Sequence, residues 1–186
     1  NADLAATHAS VLSEVTTMQT LLDDLLQLAR SDDAAPTQTT EFALDHAIRD
    51  GVTGLGATHI SLHVDPLPAT RIPGDAAAVA RAVRNLVENA LRHAASAVTV
   101  STQRDGNVVS IAVTDDGPGG PGDEQHRIFE RFARVDAARA ADEGGAGLGL
   151  AIARAIAEQH RGSLTLDSVH APGARFVLRL PAPTPR

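Results

Sequence analysis

At 186 residues the chain has room for one compact domain and an additional element, but it is short for two full domains. A formal net charge of −7 argues against a protein that binds nucleic-acid phosphates or an anionic membrane surface, because both would be repelled. The absence of cysteine excludes disulfide bonds and thiolate metal sites. No apolar run approaches the roughly 20 residues needed to span a bilayer.

Apolar residues at heptad spacing predict one long bundle-type helix at the start of the chain. Val15, Met18 and Leu22 alternate three and four apart, as in the seam of a helix bundle. Further leucines widen this stripe, so the helix needs partner helices. We expect residues 1–31 to form this helix as part of an incomplete domain, and residues 32–40, which are polar and contain a proline, to form a linker.

Alternating apolar and polar residues predict short strands after the linker. Two of them flank Asp105-Gly106, a dipeptide typical of hairpin turns. Because the strands come in antiparallel pairs with helices gathered on one face, we predict an α+β fold, a two-layer sandwich of a mixed, mostly antiparallel sheet and helices. A doubly wound parallel sheet is not expected. The expected strands are Thr40–Leu44, Ile60–Val64, Val98–Gln103, Val108–Thr114, Leu164–Asp167 and Arg175–Leu180.

Capping residues predict where the helices begin and end. An aspartate is expected to cap each of two helices, and Gly162 is expected to end the last one. The folded domain is expected to span residues 41–182, followed by a disordered tail at 183–186, with disorder starting as early as Pro181. The expected helices run from Asp45 to about Gly51, from Asp75 to about Ala95, around His126–Phe132, and from Leu148 to about His160.

The first candidate site lies in the long central helix, in the segment Asn85-Leu-Val-Glu-Asn89-Ala-Leu-Arg92-His93. This spacing puts four polar side chains on neighbouring positions of one stripe. The two carboxamide oxygens can ligate Mg²⁺, and the arginine and histidine can contact phosphate oxygens. A solvated polar face explains the same pattern equally well.

The second candidate site follows a predicted strand, in Val113-Thr-Asp115-Asp116-Gly117-Pro118-Gly119. The glycines remove side chains that would block a ligand from approaching the backbone. A carboxylate at Asp115 can accept a hydrogen bond from an exocyclic amine, which distinguishes adenine from guanine. A Gly-Pro turn with an aspartate cap is the simpler explanation of this short motif taken alone.

The third candidate site is Gly144-Gly145-Ala-Gly147-Leu-Gly149-Leu150, directly before a predicted helix. Glycines at a helix start expose backbone N–H groups at the positive end of the helix dipole, which favours anions. No Lys-Ser or Lys-Thr follows, and no strand closely precedes, so neither a Walker loop nor a dinucleotide fingerprint is present. A flexible hinge is the alternative interpretation.

Together, the motifs resemble the ATP-binding catalytic domain of bacterial sensor histidine kinases. Asn85–His93 resembles the N box, Asp115–Gly119 the G1 box and Gly145–Leu150 the G2 box. Between them, Ile128–Phe132, followed by Arg134, resembles the F box of the ATP lid. The resemblance implies the Bergerat fold, which is also found in gyrase, Hsp90 and MutL, and the F box favours the kinases.

The resemblance also implies ATP and Mg²⁺ as cofactors, with a role for each matching residue. Asn89 would be the principal Mg²⁺ ligand, and Asn85 would support it as a metal ligand and catalytic residue. Asp115 would accept the adenine amine, with Gly117 and Gly119 under the base.

At the phosphates, the resemblance implies that the third motif closes over the nucleotide and that Arg134 stabilises charge on the γ-phosphate as a catalytic residue. The phenylalanines of the F box are expected to pack the lid onto the domain. The remaining residues expected to contact ATP are Arg92, His93, Gly145, Gly147, Leu148 and Gly149.

Two departures from the family pattern concern hydroxyl and imidazole groups. A threonine usually follows the glycine of the family's last motif, whereas this chain has Ala174 after Gly173. His8 lies where a phosphate-accepting histidine is tempting, but Ala-Ser-Val follows it and no acidic residue is adjacent to act as a base. The other histidines are expected to be solvated; they include His46, His59, His63, His126, His160 and His170.

Because Leu12–Arg30 resembles the second helix of the dimerisation stalk, we expect the phosphoacceptor helix to be supplied by a missing part or by another chain. This chain would then bind Mg·ATP without phosphorylating itself. The resemblance implies the cytoplasmic portion of a membrane-anchored sensor kinase, a homodimer through the stalk and a cognate response regulator, with no nucleic-acid partner.

Two alternatives remain at this point. One is an ATPase of the gyrase or Hsp90 kind, although such enzymes carry a glutamate to activate water at the position of Asn85. The other is a nucleotide-regulated interaction module that docks through its N-terminal helix.

Overall fold

The computed structural model describes residues 40–55, 59–119, 127–130, 147–167 and 172–184. The predicted stalk helix and nearly all of the predicted linker lie outside these residues, although Thr40, assigned to the linker, begins the first strand. The described elements are β1 (Thr40–Ala43), α1 (Leu44–Val52), β2 (Ser61–Val64), β3 (Arg71–Gly74), α2 (Ala76–His93), β4 (Ala97–Asp105), β5 (Val108–Asp115), a 3-10 turn (Arg127–Phe129), α3 (Gly149–Gln159), β6 (Ser163–Leu166) and β7 (Arg175–Pro181).

Five strands form a mixed sheet in the order β2-β4-β5-β7-β6. β2 runs parallel to β4, and the other neighbours are antiparallel, so the predicted α+β fold with a mostly antiparallel sheet is confirmed. β1 and β3 form a separate antiparallel pair. The sequence did not predict β3, because it contains Pro73; a two-stranded ribbon tolerates this proline, since each of its strands is an edge strand.

The strand register decides which side chains face the helices. Val98 in β4 lies opposite Asp115 in β5, and Val100 lies opposite Val113, which in turn lies opposite Phe176 in β7. Asp115 therefore occupies the last position of an otherwise apolar inward row. The apolar residues of this core include Val83, Leu86 and Val87 of α2, Ile152 and Ile156 of α3, and Val98, Val100, Ile111, Val113, Phe176 and Leu178 of the sheet.

The two aspartates expected to cap helices behave differently. Asp75 caps α2 as predicted, because its Oδ1 accepts hydrogen bonds from the amides of Ala77 (2.9 Å) and Ala78 (3.1 Å). Asp45 does not cap α1 but lies in its first turn. The first amide of α1, that of Leu44, instead donates to the carbonyl of Thr70 at 2.8 Å, so a neighbouring segment takes the place of a side-chain cap.

The end of α3 also differs from the expectation. Arg161, not Gly162, has the left-handed backbone, with φ 56. A Cβ on Gly162 would lie 2.0 Å from the carbonyl oxygen of Arg179, so glycine is needed there for close approach to β7.

His160 was expected to be solvated but is half-buried and bonded at both ring nitrogens. Its Nε2 accepts from the amide of Asp75 at 3.0 Å, and its Nδ1 lies 2.8 Å from the carbonyl oxygen of Ile156. This arrangement requires a proton on Nδ1 and a lone pair on Nε2. His160 thus links the end of α3 to the start of α2.

At the end of the chain, the disorder expected from Pro181 is wrong for its first residues. Pro181 belongs to β7, and the buried Ala182 donates its amide to Asn107 at 2.8 Å. None of the helices in the described part of the chain is long and apolar enough to cross a membrane.

Candidate functional site

The carboxylate of Asp115 is the most unusual polar group in the core. Its side chain is only 3% exposed. Oδ1 accepts hydrogen bonds from the amides of Gly117 (3.0 Å) and Ala174 (3.3 Å), whereas Oδ2 is buried and has no partner among the described residues. Since an unpaired buried carboxylate oxygen is costly, this atom identifies a position where a ligand can donate a hydrogen bond.

Glycines allow three chain segments to converge around Asp115. A Cβ on Gly117 would lie 2.1 Å from the carbonyl oxygen of His93, and a Cβ on Gly173 would lie 1.9 Å from that of Asp115 itself. Gly119 and Gly173 both have positive φ, 74 and 103. The close approach at Gly173 explains why the segment after β6, which the sequence marked only as a departure from the family, forms a wall of this site.

Asp116 ties the same region to the end of α2. Its Oδ1 accepts from three consecutive amides, Ala95 at 2.9 Å, Ser96 at 2.9 Å and Ala97 at 3.0 Å. Its Oδ2 accepts from the Ser96 hydroxyl at 2.5 Å. The Ser96 hydroxyl and these amides hold the pKa of Asp116 well below its ordinary value. The sequence did not predict these contacts of Asp116. It indicated only that adjacent residues of a strand face opposite sides, so Asp115 and Asp116 cannot share one role.

The polar stripe of α2 leads away from this region. Asn85 and Asn89 are half-buried, whereas Arg92 and His93 are exposed. Asn85 donates from Nδ2 to the carbonyl of Gly149 at 3.2 Å, which directs its amide oxygen elsewhere. Asn85 and His93 are eight positions apart, or about 12 Å along the helix axis, so α2 connects the Asp115 region to the start of α3.

The start of α3 has no side-chain cap among the described residues, a feature that suits an anion. Gly147 has φ 69, and Leu148, at the N-cap position, provides no side-chain cap to the first amides of the helix. The Leu148 side chain is buried in the core, so only its main chain remains for a ligand contact. Gly149 lies beside Asn85, since a Cβ added there would be 3.7 Å from the Cβ of Asn85.

Residues 74–184 match the family described as histidine kinase-, DNA gyrase B-, and HSP90-like ATPase. The chain belongs to this family. The probable sensor histidine kinase TcrY of Mycobacterium tuberculosis is 38% identical over 186 aligned positions, which cover 95% of this chain and 38% of TcrY. The chain therefore spans well under half of this curated relative, and it carries the catalytic domain of a histidine kinase.

Two solved structures are similar to this histidine kinase domain. The ATP-binding domain of PrrB from Mycobacterium tuberculosis is 31% identical, with a TM-score of 0.61 over 80% of this chain and 100% of that one. Full-length ShkA in complex with AMPPNP is 26% identical, with a TM-score of 0.74 over 96% of this chain and 39% of that one.

Part of the kinase motif set lies outside the described residues. This part includes Arg134 and Gly145, both expected at the phosphates. His8, which lacks the phosphoacceptor motif, also lies outside the described residues. Phe129 is described and packs onto the domain as expected: its ring meets Phe176 edge-on at 6.2 Å, and the Arg154 guanidinium lies 5.9 Å from its centroid.

Proposed function

We propose that this histidine kinase domain binds Mg·ATP along α2, between the end of β5 and the start of α3. We further propose that it donates the γ-phosphate to a histidine outside these 186 residues, in two-component signal transduction. The observation that carries the proposal is the buried Oδ2 of Asp115, which has no hydrogen-bond partner in the part of the chain that the structure describes.

At the base end, Oδ2 of Asp115 accepts a hydrogen bond from the exocyclic amine of adenine. A base with an oxygen at that position would place two acceptors against each other, leaving both buried and unsatisfied. Gly117 and Gly119 are assigned to the position under the base by the family resemblance, and the places of their missing side chains are taken by the carbonyls of His93 and Gly173. Selectivity for ATP over an otherwise identical 6-oxo nucleotide follows from this geometry.

At the phosphate end, the donors suit a metal that is held mainly by the nucleotide. The described residues contain no cluster of three or more His, Cys, Asp or Glu side chains that could hold a metal ion. Mg²⁺ prefers oxygen ligands, keeps several waters and is commonly shared with phosphates, so the amide oxygens of Asn89 and Asn85 fit it. When bound, the metal neutralises charge on the phosphate oxygens.

The protein's own groups complete the phosphate end. Arg92 and His93 contact phosphate or ribose, and the main chain of Gly147, Leu148 and Gly149 offers amides at the positive end of the α3 dipole. Arg134 and Gly145 are assigned to the γ-phosphate and the closing loop by family resemblance alone. Catalysis in this proposal rests on placement and electrostatics, without a covalent step on this domain.

The acceptor histidine is proposed to lie on a stalk helix supplied by another part of the protein or another chain, since none of the eight histidines is directly followed by an acidic residue as in the family motif. Efficient water activation is not proposed, because the carboxamide of Asn85 cannot take a proton as a glutamate does. A stalk-mediated homodimer, a response regulator and a cytoplasmic position in a membrane-anchored sensor complete the proposal.

Calorimetry with ATP and inosine triphosphate, each at saturating Mg²⁺, tests the base contact. The two nucleotides differ in the amine or oxygen at position 6 and in the proton that the 6-oxo base carries on N1. We expect the wild type to prefer ATP and Asp115→Asn to lose that preference, because its amide can donate to the oxygen. Asp105→Asn, the same change at the exposed end of β4, is the control. No heat from ATP, or an unchanged preference in Asp115→Asn, overturns the proposal.

Incubation with γ-labelled ATP tests the transfer step. The chain alone is expected to acquire no acid-labile label, whereas label on its own residues contradicts an external acceptor. Rapid steady-state release of phosphate would favour the gyrase- or Hsp90-like ATPase alternative.

A further inference from the structure

We propose that Asp116 is a positioning residue for nucleotide selectivity, which ties the end of β5 to the junction between α2 and β4 and so fixes the free oxygen of Asp115. This inference rests on the proposed function. Asp116 would touch neither base nor phosphate and would act only through Asp115.

The contacts of Asp116 are numerous and converge on its carboxylate. The carboxylate accepts four hydrogen bonds, three from the consecutive amides of residues 95–97 and one from the Ser96 hydroxyl, all between 2.5 and 3.0 Å. A fifth bond runs back from the amide of Asp116 to the carbonyl of Ala97 at 3.3 Å. Such a convergent set fixes the carboxylate in position and direction, since each hydrogen bond weakens steeply when misaligned.

These contacts close a ring around Asp115. Oδ1 of Asp115 accepts from the amide of Gly117, and Gly117 is packed directly against the carbonyl of His93, the last residue of α2. Two residues further on, Ala95 donates to Asp116. The segment that follows α2 is therefore held against the residues after Asp115 at two points, Gly117 and Asp116. The direction of Oδ2 of Asp115 depends on both contacts.

The charge of Asp116 also favours a positioning role. The carboxylate of Asp116 lies next to the C-terminus of α2, where the helix dipole disfavours a negative charge. The Ser96 hydroxyl and the three amides nevertheless keep its pKa below the ordinary value, so Asp116 is ionised at neutral pH. The hydrogen bonds from these donors therefore offset the unfavourable interaction between the negative charge and the helix dipole.

The experiment compares Asp116→Ala with Asp116→Asn, using Mg·ATP and Mg·inosine triphosphate in calorimetry. Loss of the acceptors in Asp116→Ala is expected to lower the ATP-to-inosine preference by about tenfold, equivalent to one net hydrogen bond. Asp116→Asn keeps an oxygen for the three amides and is expected to restore the preference to within about twofold of the wild type. Asp105→Ala, at the exposed end of β4, is the control.

A purely structural role predicts a different result: a lower melting temperature for Asp116→Ala with an unchanged preference, which overturns the inference. If Asp116→Ala does not fold, Ser96→Ala removes a single donor and is expected to give an intermediate loss of preference; an unchanged preference there is also contradictory. Different results would contradict the two proposals. The proposed function is contradicted if the wild type binds no ATP. This inference alone is contradicted if the wild type prefers ATP, Asp115→Asn has lost that preference and Asp116→Ala retains it.

Discussion

At one end of the proposed nucleotide site, Asp115 is 3% exposed and is surrounded by main-chain contacts at Gly117 and Gly173. At the other end, Asn85 and Asn89 project from α2 and are only half-buried. The base end is thus shaped by backbone packing between segments, whereas the phosphate end consists of side chains on a helix surface. Substitutions at the base end should therefore disturb the fold and the selectivity together, and substitutions at the phosphate end should change affinity alone.

The sharpest test of this contrast exchanges one glycine at each end for alanine. In Gly117→Ala the new Cβ would meet the His93 carbonyl oxygen at 2.1 Å, so we expect a loss of about 3 kcal/mol in unfolding free energy and of ATP binding. In Gly149→Ala the nearest atom lies 3.7 Å away, and unfolding free energy should change by no more than about 1 kcal/mol. Urea unfolding measures the unfolding free energy of each variant. Equal stabilities would contradict the proposed difference in packing between the base end and the phosphate end.

The next largest effect is expected away from both ends, at His160. His160→Ala removes the acceptor of the Asp75 amide and the donor to Ile156, which should cost about 2 kcal/mol of unfolding free energy. The ATP-to-inosine preference should not change, because the base end is untouched. His63→Ala, an exposed position in β2, is the control. A changed preference in His160→Ala would mean that the α2–α3 link also shapes the base end.

At the phosphate end, Asn89→Ala should lower the affinity for Mg·ATP by about tenfold, or about 1.4 kcal/mol. Stability and the ATP-to-inosine preference should stay at wild-type values, since Asn89 is not part of the packed wall around Asp115. Glu88→Ala, which removes the partner of Arg84 at 3.6 Å on the same helix, serves as the control. Calorimetry with and without Mg²⁺ separates loss of a metal ligand from loss of a direct phosphate contact, and unchanged affinity would contradict the assignment of Asn89.

The smallest effect is the pH dependence of Asp116→Asn. Because folding lowers the pKa of Asp116, its charged form stabilises the wild type above the ordinary aspartate pKa of about 3.9. This contribution is lost as pH falls through the lowered, folded-state pKa. The melting-temperature difference between wild type and Asp116→Asn should therefore be constant near neutral pH and narrow below about pH 4. A difference that does not narrow in acid would show that the carboxylate charge does not contribute.

Much of the fold followed from local patterns. The cap at Asp75 and the hairpin at Asp105-Gly106 were predictable because neighbouring residues determine both. β3 was missed because Pro73 argues against a strand, and the α1 cap was misassigned because its amide partner, Thr70, comes from a distant segment.

For the candidate site, the sequence predicted the residues but not the contacts between them. The order of the motifs indicated Asp115 and the asparagines of α2, since residue type and spacing suffice for that. The sequence could not indicate that one oxygen of Asp115 has no partner within the described segments, that Asp116 accepts from three amides, or that His160 contacts a residue 85 positions away. Each of these depends on contacts between segments that are distant in the sequence. The roles of Arg134 and Gly145 stay predictions.

The pairing of Asp115 with Ala174 has a consequence for the order of events during synthesis. The amide of Asp115 donates to the Ala174 carbonyl at 3.0 Å, and β5 pairs with β7 along most of its length. A nascent chain that has emerged from the ribosome only as far as residue 172 therefore lacks β7, one of the two neighbours of β5, and one wall of the proposed adenine site. Prematurely terminated products of this length would carry every asparagine and aspartate of the site and still be unable to capture nucleotide.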